Sequence, residues 1–170
     1  MRLLLDVMCG GLRSYLRMCG HDTVYALDRD DEREAAASEC EAAASKREAA
    51  ASNNDALLER SEGEDRTLVT RNVQLAGRAS ASMLLRERDV VHQLGELHEA
   101  GVDLTLDETP TYCGSCNGLL ERVAPEEPTA EYAPDPRDER VWRCVDCGQQ
   151  FWRGSHWDSV RETLDVVRAS

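Results

Sequence analysis

Apolar residues come in short blocks along the chain, each bounded by glycine, proline or a charge. Leu3, Leu4 and Leu5, closed by Asp6, predict a short buried strand that delivers a carboxylate at its C-terminal end. Gly10-Gly11 turns the chain. Leu12, Tyr15, Leu16 and Cys19 then recur at helical spacing, predicting a one-faced helix with Arg13 and Arg17 on its outer side and Gly20 beyond its end. Residues 22–26 (Asp-Thr-Val-Tyr-Ala) read as a second strand. Strand, helix and strand in so short a span form a βαβ unit, so the fold class is α/β with a parallel sheet. Sites in such sheets lie at the carboxyl ends of the strands, where Asp6 falls.

A seven-residue repeat follows: Glu-Ala-Ala-Ala-Ser begins at Glu34, Glu41 and Glu48. Alanine and glutamate favour helix, but no bulky side chain marks a packing stripe. An exposed, partly helical insertion over about residues 29–52 is expected. Ordered structure is expected to restart at Asn54, capping a helix whose first turn carries Asp55. Residues 66–70 read as the third strand, leading into Arg71-Asn72. Residues 73–78 read as a short helix and 82–85 as a fourth strand. Val90, Leu94 and Leu97 mark a helix that Gly101 ends. This first domain spans 1–103, and a smaller module spans 104–170. The module's last helix is expected to be capped by Ser155, with Val160, Leu164 and Val167 on its buried face.

The module is defined by Cys113-Gly-Ser-Cys116 and Cys144-Val-Asp-Cys147. Two C-x-x-C knuckles can place four sulfurs at tetrahedral corners, as a closed structural zinc site requires. Two disulfides and an iron–sulfur cluster are the other arrangements such cysteines allow. The chain between Cys116 and Cys144 is long, but loop closure costs grow only logarithmically with length. It holds four of the five prolines and reads as an acidic loop. Cys9, Cys19 and Cys40 have no evident partner and read as small buried or half-buried residues.

Composition changes the picture in two ways. A net charge of −13 argues superficially against a nucleic-acid partner. Yet Lys46 is the sole lysine among 20 basic residues, and acids are spread along the whole chain. Such a surface suits a salt-rich cytoplasm, where exposed charges are screened within a few ångströms, so RNA is not excluded. No apolar run is long enough to cross a bilayer, and the first residues lack the pattern of a secretory signal. C-x-x-C knuckles need reduced thiols, which makes a cytoplasmic location the expectation.

The chemistry expected at the sheet ends rests on Asp6, Asp55 and Asn72. Carboxylates converging from different elements can hold Mg²⁺ or Mn²⁺ against phosphate oxygens. Asp6 and Asp55 would then ligate the ion, while Thr70, Arg71 and Asn72 orient substrate or water. The alternative makes Asp6 a strand end and Asp55 a helix-dipole charge. In the module, six of the eight aromatic residues lie between Tyr112 and Trp157. Rings beside arginine can stack unpaired bases, although they can equally supply the module's small core. Arg153 and His156 are its candidate RNA contacts.

Three motifs carry a resemblance that covers nearly the whole chain apart from about residues 29–52. They are Asp6 with Leu16-Arg-x-x-Gly20-x-Asp22-Thr23, then Leu68-Val-Thr-Arg71-Asn72-x-x-Leu75-Ala, then Cys116-Asn117-Gly118 with Trp152-Arg-Gly-Ser-His-Trp157. The chain resembles the Mut-7 C-terminal RNase domain family, a PIN-like ribonuclease fold followed by a zinc ribbon. The resemblance implies a metal-dependent endoribonuclease, with Asp6 and Asp55 on the first two acidic positions. The family's third acid follows Thr-Arg, where this chain has Asn72. An amide there removes one negative charge from a cation site. Asp22 and Asp89 are the candidates to restore it. The alternative reading is a weakened or inactive RNA-binding or regulatory protein on the same scaffold. A third is a protein-interaction module built on the ribbon and the alanine-rich helix.

Overall fold

A computed structural model describes residues 1–28 and 44–170 of the 170-residue chain. Cys40 and the alanine-rich repeats as far as residue 43 lie outside the described residues. In chain order the elements are β1 (Arg2–Leu5), a 3₁₀ turn (Val7–Leu12), α1 (Arg13–Met18), β2 (Asp22–Tyr25) and α2 (Ala44–Gly63). Then come β3 (Thr67–Thr70), α3 (Val73–Arg78), β4 (Ser82–Leu84) and α4 (Val90–Glu99). The module contributes β5 (Leu120–Arg122), β6 (Val141–Cys144), β7 (Gln150–Trp152) and α5 (Ser155–Ala169).

β1 to β4 form one parallel sheet in the order β2-β1-β3-β4. The leucines of β1 are buried on both faces, as the apolar run requires. Leu3 and Leu5 pack with Leu12, Leu16, Leu94 and Leu97 of one helical layer. Leu4 packs with Leu57, Leu58 and Leu75 of α2 and α3 on the other. The chain leaves β1 toward β2 but leaves β3 toward β4, so the order reverses between β1 and β3. In open α/β sheets the crevice that holds a site forms above the carboxyl ends of the strands at such a reversal, the place Asp6 and Thr70 take here.

β5 to β7 make a separate antiparallel sheet, the ribbon. The expected division groups α5 with it. The buried Val160, Leu164 and Val167 of α5 pack instead in the α/β core with Leu3, Leu94 and Leu97. The chain thus leaves the first core, builds the ribbon and returns.

Three local expectations are corrected. Asn54 does not start a helix: α2 runs through it, and Asp55 sits well inside, because the upstream alanine-rich sequence already favours helix. The N-cap of α5 is Gly154, and Ser155 is its first helical residue. Arg17 is not on an outer face. It is fully buried.

The burial of Arg17 follows from its acceptors. Its Nε donates to the Thr23 carbonyl at 2.9 Å, and Nη1 donates to the carbonyls of Gly114 and Ser115 at 2.9 and 3.0 Å. Nη2 donates to Asp28, whose same oxygen accepts from the Tyr25 N–H at 3.0 Å. A buried cation is tolerable only when paired and hydrogen-bonded, and this one is both. Asn117 completes the join: its side-chain oxygen accepts from the Thr23 N–H at 2.9 Å, and its Nδ2 donates to Asp22 at 2.7 Å. Thr23 lies on the sheet's edge strand, so the first knuckle closes an otherwise open edge.

Asp22 also accepts from Arg66 at 2.9 Å and from Arg2 at 3.3 Å. Burial pushes its pKa up, but hydrogen bonds from Arg66, Asn117 and Arg2 outweigh that and hold it below the ordinary value of 3.8. Its contribution to stability is therefore complete above that value and is lost as the pH falls through the lower folded one.

Replacing Arg17 by methionine leaves the Thr23, Gly114 and Ser115 carbonyls without its donors and removes the buried partner of Asp28. A loss of about 3–5 kcal/mol is expected in urea unfolding at neutral pH. A change below about 1 kcal/mol would show that the guanidinium does not hold the two parts together.

Candidate functional site

Two sites have defined geometry: the sulfur quartet of the ribbon and the crevice at the top of the parallel sheet. In the quartet, the ligand atoms of Cys113, Cys116, Cys144 and Cys147 all lie within 4.8 Å of one another. Cys113 Sγ is 3.7 Å from Cys147 Sγ, and Cys116 Sγ is 3.5 Å from Cys144 Sγ. Disulfide sulfurs would be about 2 Å apart. A tetrahedron with metal–sulfur bonds of about 2.3 Å has edges of about 3.8 Å. The quartet can hold a metal such as zinc, and the four sulfurs would close its shell.

The knuckles are shaped for this role. A Cβ on Gly118 would come within 2.8 Å of Cys144 Sγ, so only glycine fits beside the sulfurs. Burial raises the pKa of Cys144, but N–H groups of Cys147 and Asp146 and the neighbouring thiols outweigh it and lower the net value. Cys113 is shifted the other way, chiefly by burial.

At the sheet crevice, Asp6 follows β1 and is buried. Its N–H donates to the Val69 carbonyl at 3.0 Å, tying it to β3. Its Oδ2 accepts the Thr70 hydroxyl proton at 2.6 Å. Thr70 Oγ1 in turn accepts from the Asn72 N–H at 3.0 Å. Arg71 lies between them in sequence, and its Nε is buried with no hydrogen-bond partner among the described residues. Asp6, Thr70 and Arg71 thus meet at the reversal of strand order.

The other two predicted site residues do not join them as expected. Asn72 caps α3: its Oδ1 accepts from the N–H groups of Gln74 and Leu75 at 3.0 and 3.2 Å. With the oxygen committed to the helix, the remaining side-chain group is an NH₂, which donates and cannot ligate a cation. Asp55 is exposed and pairs with Arg78 at 2.6 Å. Among the described residues, the cysteines form the one group of three or more such ligands within 4.8 Å. The residues present therefore do not fit a three-carboxylate magnesium or manganese site.

The residues expected to restore charge have other tasks. Asp22 starts β2 at the opposite end of the sheet from Asp6, and Asp89 caps α4 through the N–H groups of Val91 and His92. Two further residues lie near Asp6: Cys9, which the sequence marks only as a small buried residue, and Glu96. Cys9, in the turn after Asp6, is fully buried, and its pKa is pushed up to about 12 by burial, then by the Asp6 charge. Glu96 of α4 also bears on Cys9, and its carboxylate accepts from the backbone N–H groups of Arg86 and Glu87. Its phase on α4, next to the buried Leu97, was the available signal.

On the ribbon, Arg153 stacks on the Trp157 ring at 5.4 Å and donates to the Glu108 carbonyl. His156 is exposed in the first turn of α5. His156 lines a cavity against α1 and Arg153 a second one beside Trp157, and neither cavity includes Asp6, Thr70 or Arg71.

Burial also pushes the Cys19 thiol up to about 12. In mildly alkaline buffer, iodoacetamide should leave Cys9 and Cys19 of the folded, metal-loaded chain unmodified, while metal stripping opens the exposed Cys116 and Cys147 to labelling. Peptide mass mapping reads the outcome. Labelling of Cys9 as fast as Cys116 in the stripped chain would contradict this placement.

No curated protein and no solved structure matches the chain. The family comparison does match, under the description Mut7-C RNAse domain, over residues 1–164. That span takes in the parallel sheet, the Asp6 crevice, the sulfur quartet and most of α5, and the chain belongs to the Mut7-C RNase domain family.

Proposed function

We propose that the chain binds single-stranded RNA and cleaves it slowly, on a ribonuclease scaffold whose cation site is depleted. The family supports RNA as the substrate class. The observation that carries the depleted site is Asn72, whose one oxygen is spent on capping α3. Asp55 is paired with Arg78 and Asn72 caps α3, so neither is free to hold a magnesium or manganese ion.

The crevice residues have chemistry of their own. A buried carboxylate fixed by a neighbouring hydroxyl can accept the proton of an attacking water. On this reading Asp6 is that base, and Thr70 sets its orientation. Arg71, with an unsatisfied Nε, offsets the negative charge that develops on the phosphate. The quartet holds zinc as a structural ion, and Arg153 and His156 contribute to RNA contact from the ribbon. The acidic surface belongs to a salt-rich cytoplasm, where screening removes much of its repulsion for RNA. No described helix is long and apolar enough to cross a membrane.

Asn72 also favours a second reading, a non-catalytic RNA-binding or regulatory protein. Cleavage of single-stranded RNA in Mn²⁺ separates the two. The native chain should cut slowly, Asn72→Asp at least about tenfold faster, equivalent to about 1.4 kcal/mol of barrier, and Asp6→Asn not at all. Cleavage that survives Asp6→Asn would remove Asp6 from the site. A native chain that binds RNA without cutting it, and gains cleavage with Asn72→Asp, establishes the second reading.

A further inference from the structure

The seam between α1 and the ribbon encloses a cavity of about 230 Å³ that neither the sulfur quartet nor the Asp6 crevice uses. Four rings, Tyr112, Phe151, Trp152 and Trp157, line it together with Met18, Pro110 and Leu120. The rings other than the well-buried Trp157 are half-buried, so they are not spent on forming a closed core. The polar side chains of the lining are few: the hydroxyls of Ser14 and Ser115 and the imidazole of His156. Among the described residues no acceptor takes the Trp152 indole N–H. The backbone at Gly154 packs closely against the Trp152 indole. A Cβ on Gly154 would come within 2.8 Å of Trp152 Nε1 and displace the indole. The Tyr132 ring lies 6.4 Å from that of Trp152. Gly114, whose carbonyl accepts from Arg17, brings the knuckle to the cavity wall.

We infer that this cavity binds one unpaired nucleobase of an RNA strand. The inference rests on the RNA-directed reading above and assigns it a subsite. The volume suits one planar heterocycle. Aromatic walls take the two π-faces of a base, and the hydroxyls, the imidazole and the indole N–H meet its polar edge. An aliphatic ligand would leave those polar groups unpaired at a cost. The chain's charge favours the same occupant: at −13, phosphate contacts give little net attraction, whereas stacking on rings does not depend on charge. Zinc matters here only by shaping the wall, since Cys113 and Cys116 bracket Gly114 and Ser115.

The test measures binding alone, with the zinc-loaded full chain and no added magnesium or manganese. Fluorescence anisotropy compares a labelled single-stranded hexanucleotide RNA with an abasic strand of the same length, over a series of salt concentrations. The variants are Trp152→Ala, which removes a wall, and Ser14→Phe, which fills the cavity from α1 and leaves the ribbon intact. The abasic strand should bind native protein at least about tenfold more weakly, and each variant should raise Kd for the RNA about tenfold. The slope of log K against log salt should be shallower than about −1. Equal binding of both strands, or native affinity in Ser14→Phe, would overturn the inference, and Ser14→Phe decides if Trp152→Ala loses zinc. Displacement of the RNA by N-acetyl-tryptophanamide but not by free nucleosides would assign the cavity to a protein side chain and also overturn it. Binding is read without magnesium or manganese and cleavage in a separate assay, so loss of base binding and loss of cleavage are scored separately.

Discussion

The buried guanidinium of Arg17 is the constraint on which the arrangement of the molecule depends. It joins α1, the outer carbonyl of edge strand β2, the carboxylate of Asp28 and two carbonyls of the first cysteine knuckle. The knuckle carbonyls lie more than ninety residues along the chain from Arg17. Placing a cation in the interior is costly, and the cost is recovered only when every partner is present together. Asn117 works beside it on the same edge residue, Thr23. The two side chains turn an exposed edge strand into an interface, so the ribbon is part of the α/β unit. The packing of α5 on α4 and β1 fastens the same module from its other end.

This join explains a division of labour. The sheet's reversal point is formed by β1 and β3, and Asp6, Thr70 and Arg71 assemble there by backbone pairing alone. Nothing in that assembly uses the ribbon. The aromatic seam requires the ribbon, because one wall is the knuckle that Arg17 holds and another is the start of α5. The strand-end cluster of Asp6, Thr70 and Arg71 and the aromatic seam are thus supported by different parts of the fold. A change such as an amide at position 72 can weaken the first and leave the second whole.

Much of this was legible in the sequence because it obeys local rules. The apolar run of β1, the helical spacing of Leu12 and Leu16, and the paired knuckles each follow from short-range pattern. The sheet class and the cysteine quartet came from them. What sequence could not reveal were choices made by distant partners. Arg17 reads as an outward residue by helical phase, and only the carbonyls of Gly114 and Ser115 make its burial affordable. Asp22 reads as spare acidic charge until Arg66 and Asn117 are seen to consume it. Asp55 reads as a helix start because Asn54 is a good cap, yet the alanine-rich sequence before it carries the helix through. Asn72 shows the opposite case: its departure from the family's acid was visible, but its use as a helix cap depends on backbone geometry.

The first cysteine knuckle covers the edge of the sheet through Asn117 and Arg17. Hydrogen exchange at the Thr23 amide, which donates to Asn117, reads this directly. With zinc bound, Thr23 should be protected like the amides of β1. With zinc removed, it should lose that protection, while the amides of β3 keep theirs. Protection of Thr23 that does not change on zinc removal would contradict the account.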